Sequence, residues 1–169
     1  MKLLELLKNI LKPKALVPDN SALIDNLYIQ LYRDEGEVLH AYQDSLGYWT
    51  IGIGRLIDKR KGGGISAEES KFLFDNDVRK VQEQVYAALP WTRQLDEARQ
   101  GVLLNMCFQM GIGSAANGTG LLGFKNTLAM IERGDYESAA QGMMNSLWAK
   151  QTPNRAKRLS EQMRTGEWQ

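Results

Sequence analysis

Apolar positions along this chain recur mostly at spacings of three and four, a rhythm that predicts a largely helical protein interrupted by one short β region. Leu3, Leu4, Leu6, Leu7, Ile10 and Leu11 set a helix over residues 1–12, which Pro13 and Pro18 end. Leu23, Ile24, Leu27 and Leu31, with Tyr28 or Ile29, give a second helix over 21–35 its apolar face, and Gly36 stands where a C-terminal cap belongs. Short strands are then expected at 39–43, 47–52 and 54–57, with Gly47, Gly52 and Gly54 permitting the turns. Ser66-x-x-Glu69 has the form of a capping box and opens a long helix to Leu89. From Val102 to Met110 the chain is so apolar that a helix over 96–110 belongs at the centre of a helical bundle. Helices over 124–133, 136–147 and 153–164 follow, with Gly134 between the first two and Pro153 in the first turn of the last. The fold class is α+β, mostly helical.

Composition narrows the function by exclusion. At 169 residues and 19.1 kDa the chain makes one domain or two small lobes. It is long enough to fold without a metal or disulfide. Cys107 is the single cysteine and lies in an apolar run, so it reads as a buried, inert thiol. One His, at position 40, and one Cys leave no zinc-site spacing, and no cofactor is expected. A net charge of +1 supplies no basic field for nucleic acid. No apolar run is long enough to span a membrane.

The N-terminus begins basic and apolar, as a signal peptide does. Glu5, Lys8 and Lys12 interrupt it and no small-residue cleavage site follows, so it is expected to stay uncleaved on a protein first made in the cytosol. Lys2, Lys8, Lys12 and Lys14 against Glu5 make residues 1–14 a basic amphipathic segment. Such a segment fits weak contact with an anionic membrane surface, or packing on the protein's own surface. Residues 58–65 read as a loop whose basic side chains are solvated or help to hold an anionic polymer. Residues 111–123 read as a mobile glycine-rich loop at a cleft edge, lacking the Lys-Ser/Thr of a phosphate loop.

The chemistry gathers between Arg33 and Arg55. Glu35 ends a helix; Asp44 and Thr50 follow within the β region. A helix, a stop and a small twisted sheet can set two carboxyls across a cleft, the arrangement glycoside hydrolysis requires. Taken singly, Glu35 is a surface helix-end carboxylate, Asp44 a turn residue and Thr50 an ordinary strand residue.

Asp34-Glu35-Gly36, Tyr42-x-Asp44 and Gly47-Tyr48-x-Thr50-Ile51-Gly52-Ile53-Gly54 resemble the active-site segment of phage-type lysozymes of the T-even bacteriophage class, glycoside hydrolase family 24. Asn105-Met106-x-Phe108-Gln109-Met110-Gly111 resembles that family's central helix. Gln151-Thr152-Pro153-Asn154-Arg155-Ala156-Lys157-Arg158 resembles its C-terminal signature. The resemblance implies a two-lobed fold: a sheet lobe over 36–65, a connecting helix over 66–89, and a helical lobe over 91–169 joined by the 21–35 helix. Residues 20–169 would form the lysozyme domain and 1–19 an extension beyond the family pattern.

It further implies a cofactor-free muramidase acting on bacterial peptidoglycan, an endolysin made in the host cytoplasm and released to the wall, or else a tail-associated lysozyme. A wall-binding or membrane-active module without catalysis is the alternative from another class. By resemblance Glu35 is the general acid, with Asp44 and Thr50 holding a water on the far face of the sugar. A donor acting near neutral pH needs a raised pKa, which partial burial gives; Arg155, as a cation paired with Glu35, would act by positioning. Leu56, Phe108 and Thr127 correspond to saccharide-groove positions, although for Phe108 plain core packing accounts nearly as well. Gln109 and Trp148 correspond to a supporting pair. The groove asparagine of the family falls at Gly142, with Gln141 the neighbouring substitute.

Overall fold

The computed structural model describes residues 21–169. The helix expected at 1–12 and the extension to residue 19 lie outside the described residues. The chain divides into two compact units, with the boundary between Ile65 and Ser66.

In the first unit, helix α1 (Ser21–Glu35) stops where Gly36 turns left-handed at φ 72° and its N–H bonds Tyr32 O at 3.0 Å. Three antiparallel strands follow in the order β1 (Val38–Gln43), β2 (Trp49–Gly52) and β3 (Arg55–Leu56). Tyr42 pairs with Thr50 and Gln43 with Trp49, beyond an irregularity that separates them from the Val38–Gly52 pair. On the other side Thr50 pairs with Leu56.

The second and third strands are shorter than the sequence pattern predicts, while the first begins one residue earlier, at Val38. Gly47 and Tyr48 belong to a turn, closed by Gly47 N–H to Asp44 O and Asp44 N–H to Tyr48 O, each at 2.9 Å. After Leu56 the chain leaves the sheet for a 3-10 turn, Lys59–Lys61, capped by Asp58. The 58–65 segment is therefore not a freely solvated loop: Asp58 is buried and Arg60 is bonded to it.

The second unit is helical. Helix α2 (Ala67–Ala88) opens with both capping-box bonds, Glu69 N–H to Ser66 Oγ at 3.1 Å and Ser66 N–H to Glu69 Oε2 at 2.7 Å. A 3-10 turn at Pro90–Gln94 leads to α3 (Glu97–Met110), capped by Asp96. Then come α4 (Lys125–Glu132), α5 (Tyr136–Met144), α6 (Leu147–Gln151) and α7 (Pro153–Thr165). The segment 136–147, expected as one helix, stops at Met144. Ser146 restarts the chain as α6 by accepting Ala149 N–H on its hydroxyl at 3.1 Å.

Val85, Val102, Leu103, Met106, Leu121, Ile131, Met143 and Met163 are essentially inaccessible and form one apolar core. Cys107 lies within it, and burial pushes its thiol up. Residues 111–123 are internally stitched: Ser114 and Thr119 form an antiparallel bridge, while Leu121 and Leu122 N–H bond Gly111 O and Ile112 O. Gly113 and Gly120 lie back to back at positive φ, where any side chain would meet backbone.

Candidate active site

Glu35 is the last residue of α1, and the left-handed turn at Gly36 sends the chain off directly behind it. Its carboxylate reaches the turn between β2 and β3. A Cβ on Gly54 would lie 3.8 Å from Glu35 Oε2, and Gly54 itself has φ 67°. Any longer side chain there would be strained in backbone and crowd the carboxylate. Glu35 is exposed.

Asp44 organises the turn between β1 and β2. Its Oδ1 accepts from the amides of Leu46 at 2.9 Å and Tyr48 at 2.8 Å, an Asx-type arrangement. Oδ2 makes no hydrogen bond among the described residues. The same bonds that make Asp44 a turn residue thus fix one carboxylate oxygen and leave the other available.

Thr50 stands in the central strand, only 4% exposed, with Tyr42 across one ladder and Leu56 across the other. Directly paired residues of antiparallel strands share a face, so Tyr42, Thr50 and Leu56 form one row. The Thr50 hydroxyl donates to Tyr48 O at 3.3 Å, tying it to the turn that holds Asp44.

Asp58 is the residue that sequence reasoning missed. Its Oδ2 accepts Trp49 N–H at 3.1 Å, and its Oδ1 accepts both Arg60 N–H and Arg60 Nε–H at 2.9 Å. Arg60 Nη2 donates to Asp58 Oδ2 at 2.7 Å and to Gly47 O at 2.9 Å. The Arg60 side-chain bonds, followed by the Trp49 amide, hold the Asp58 carboxyl well below the usual carboxylate range, against the opposing effect of desolvation. Both Arg60 and Lys61 also stack on the Tyr48 ring, 5.1 and 4.8 Å from its centroid. An Asp before Lys59-Arg60-Lys61 carries no pattern that separates this clamp from a solvated charge run.

The remaining predicted positions belong to the helical unit. Phe108 is 50% exposed and tilts against Phe74 at 6.1 Å between ring centroids, so it is not a core residue. Phe108 and Arg155 line a cavity of about 370 Å³ with Phe74, Leu104 and Trp168. Thr127 borders another, of about 520 Å³, with Phe124, Asn126, Met130 and Gly142.

Gly142 faces Thr127 directly: a Cβ there would lie 2.8 Å from Thr127 Oγ1. Gln141 lies beside Gly142 on the same helix. It donates to Glu137 at 3.2 Å and lines a separate groove with Lys157 and Arg164. Gln109 and Trp148 do meet. The buried indole N–H donates to Gln109 Oε1 at 2.9 Å, and the indole packs edge-on to Phe124. Among the described residues no cluster of His, Cys, Asp or Glu could hold a metal, and no helix is long and apolar enough to cross a membrane.

The profile of the phage lysozyme family matches residues 33–164. A probable T4-type lysozyme of Dictyostelium discoideum is 31% identical over 170 residues, spanning 85% of this chain and 96% of that protein. The pre-baseplate central spike protein of Enterobacteria phage T4 is also 31% identical, over 92% of this chain but 30% of its own length. The endolysin of Salmonella phage P22 is 29% identical over 72% of this chain and 79% of that protein.

Proposed function

This chain belongs to the phage lysozyme family and is a glycoside hydrolase of the muramidase type, and we propose that Glu35, Asp44 and Thr50 carry its reaction. The bond cut is the β-1,4 link between N-acetylmuramic acid and N-acetylglucosamine in peptidoglycan. Glu35 donates its proton to the leaving glycosidic oxygen as the bond to the anomeric carbon breaks. A water held by Asp44 Oδ2 and the Thr50 hydroxyl attacks that carbon from the opposite face and gives its proton to Asp44, inverting the configuration. The saccharide supplies the burial of Glu35 by displacing water from around its carboxyl.

One observation carries this assignment. Asp44 is held through Oδ1 by two amides while Oδ2 accepts no hydrogen bond from the described residues, and the Thr50 hydroxyl is anchored to the same turn through Tyr48 O. An oxygen held in this way is pre-organised to orient a water. Leu56, Phe108 and Thr127 are the proposed saccharide contacts, and Arg155, Gln109 and Trp148 the proposed supporting residues. The test is release of reducing ends from purified Gram-negative peptidoglycan, with product configuration read by NMR. Glu35→Gln should lose on the order of 10²–10⁴-fold in rate. Equal cleavage by wild type and variant would remove Glu35 from the acid's role, and a retained configuration would refute inversion.

Its biological role is that of an endolysin: a monomer without nucleic-acid partners, made in the host cytoplasm and acting at the wall after release. Residues 1–14 make a secondary contact with anionic membrane. Deleting residues 1–18 should then reduce lysis of whole cells while leaving digestion of purified wall intact. The tail-associated reading has one observation behind it, the match to the T4 central spike protein. Mass spectrometry of purified virions decides: finding this chain there displaces the endolysin reading.

A further inference from the structure

We propose that Asp58 and Arg60 are positioning residues of the hydrolytic step, a latch that sets where Asp44 and Thr50 stand relative to each other. The proposal rests on the roles given above to Asp44 and Thr50.

The sheet cannot fix that spacing alone. Strand β3 has two residues, and the β1–β2 ladder is irregular between Val38 and Tyr42. Thr50 and the turn holding Asp44 both lie beyond that irregularity, where an unbroken ladder does not transmit register. The latch grips this part of the sheet at three points. Asp58 Oδ2 takes Trp49 N–H, which fixes the strand one residue before Thr50. Arg60 Nη2 takes Gly47 O, which fixes the turn three residues after Asp44. Arg60 and Lys61 sit on the ring of Tyr48, whose amide is one of the two that hold Asp44 Oδ1.

Arg60 binds Asp58 through Nε and Nη2 together, so the guanidinium is held in one plane while Nη2 still reaches Gly47 O. A lysine ammonium cannot make that planar two-point grip. The loop that returns Arg60 to Asp58 is also tight. Gly63 N–H bonds Asp58 O at 3.0 Å, and a Cβ on Gly63 would lie 2.8 Å from Asp58 N.

A latch that merely strengthened the sheet would change stability. One that positions Asp44 changes the chemical step, because small misplacements of reacting groups cost large factors in rate. Arg60→Gln should therefore lower kcat about tenfold with KM within about twofold. In an Asp44→Asn background the same change should cost less than about twofold, since the group it positions is gone. Amide exchange at Leu46 and Tyr48 should accelerate about tenfold in Arg60→Gln, while Val102 and Met106 exchange as before.

A second tenfold loss on top of Asp44→Asn, or unchanged exchange at Leu46 and Tyr48, would overturn the latch. If Asp44→Asn is impaired and Arg60→Gln turns over like wild type, the latch alone fails. If Asp44→Asn itself is fully active, the assignment of Asp44 fails and the latch falls with it. Should Arg60→Gln not fold, Arg60→Lys takes its place: a several-fold loss in kcat supports the latch, and a wild-type rate ends it.

Discussion

The two units of this protein are held together by different physics. Every buried apolar residue among those described lies at or beyond Val85, in the helical unit. In the sheet unit the buried residues are Thr50 and Asp58, both polar. One unit is packed; the other is hydrogen-bonded and clamped. Packing is non-directional and tolerates small displacements, whereas hydrogen bonds fix angles and distances at modest net gain in stability. The proposed acid, the water-holding pair and the latch all stand on the bonded unit, where orientation matters more than cohesion.

That contrast can be broken most sharply at Glu35. Glu35→Gln should remove about 10²–10⁴-fold of the cleavage rate while leaving the thermal midpoint in place; a comparable fall in midpoint would mean that the carboxylate is structural.

The converse change is Leu103→Ala, deep in the helical core at 1% exposure. It should cost about 2–5 kcal/mol in urea denaturation, with the rate per folded molecule unchanged. A lost rate at full folding would show that the two units do not divide the work as described.

Gly142→Ala is smaller. Its Cβ must displace Thr127 Oγ1, an overpacking penalty of about 1–3 kcal/mol partly offset by the better helix propensity of alanine. The useful reading is KM for wall fragments, expected to rise if Thr127 contacts saccharide and to stay put if it does not.

The smallest effect is a pH dependence. Asp58 has its carboxyl held below its ordinary range in the folded protein, by Arg60 first and the Trp49 amide second. Its contribution to stability is therefore present above the pKa of an unfolded aspartate, about 4, and fades as pH falls below it. The midpoint difference between wild type and Arg60→Gln should be widest at pH 7 and narrow steadily from pH 4 to pH 2. A difference independent of pH would place the Arg60 contribution at Gly47 O and the Tyr48 ring instead.

Much of the helical architecture was legible because its signals are local. The Ser66–Glu69 box, Gly36 after Glu35 and Pro153 at the start of α7 each satisfy or remove a specific backbone group, and each appears as read. The break between α5 and α6 was not read, because Ala140 to Leu147 keeps a helical apolar spacing and only the hydroxyl of Ser146 interrupts it. The second strand is longer in expectation because Gly47 and Tyr48 look like strand until Asp44 draws them into its turn. Asp58 was hardest. Its carboxylate accepts from Trp49 nine residues earlier, and its partner Arg60 reaches Gly47 O, pairings that no hydrophobic periodicity encodes. The proposed site residues drew their prominence from three motif blocks in register, since Glu35, Asp44 and Thr50 carry ordinary local readings.

The stitched segment between Gly111 and Gly123 has a consequence for engineering. Its stem closes through the Ser114–Thr119 bridge and the Gly113–Gly120 contact, while Ala115, Ala116 and Asn117 at the tip are exposed. A stem that zips itself shut isolates its tip from the core, and lengthening a surface loop adds closure entropy only slowly. The tip is therefore a port: a short flexible tag inserted after Ala116 would ride on the helical unit without passing strain to α3 or α4.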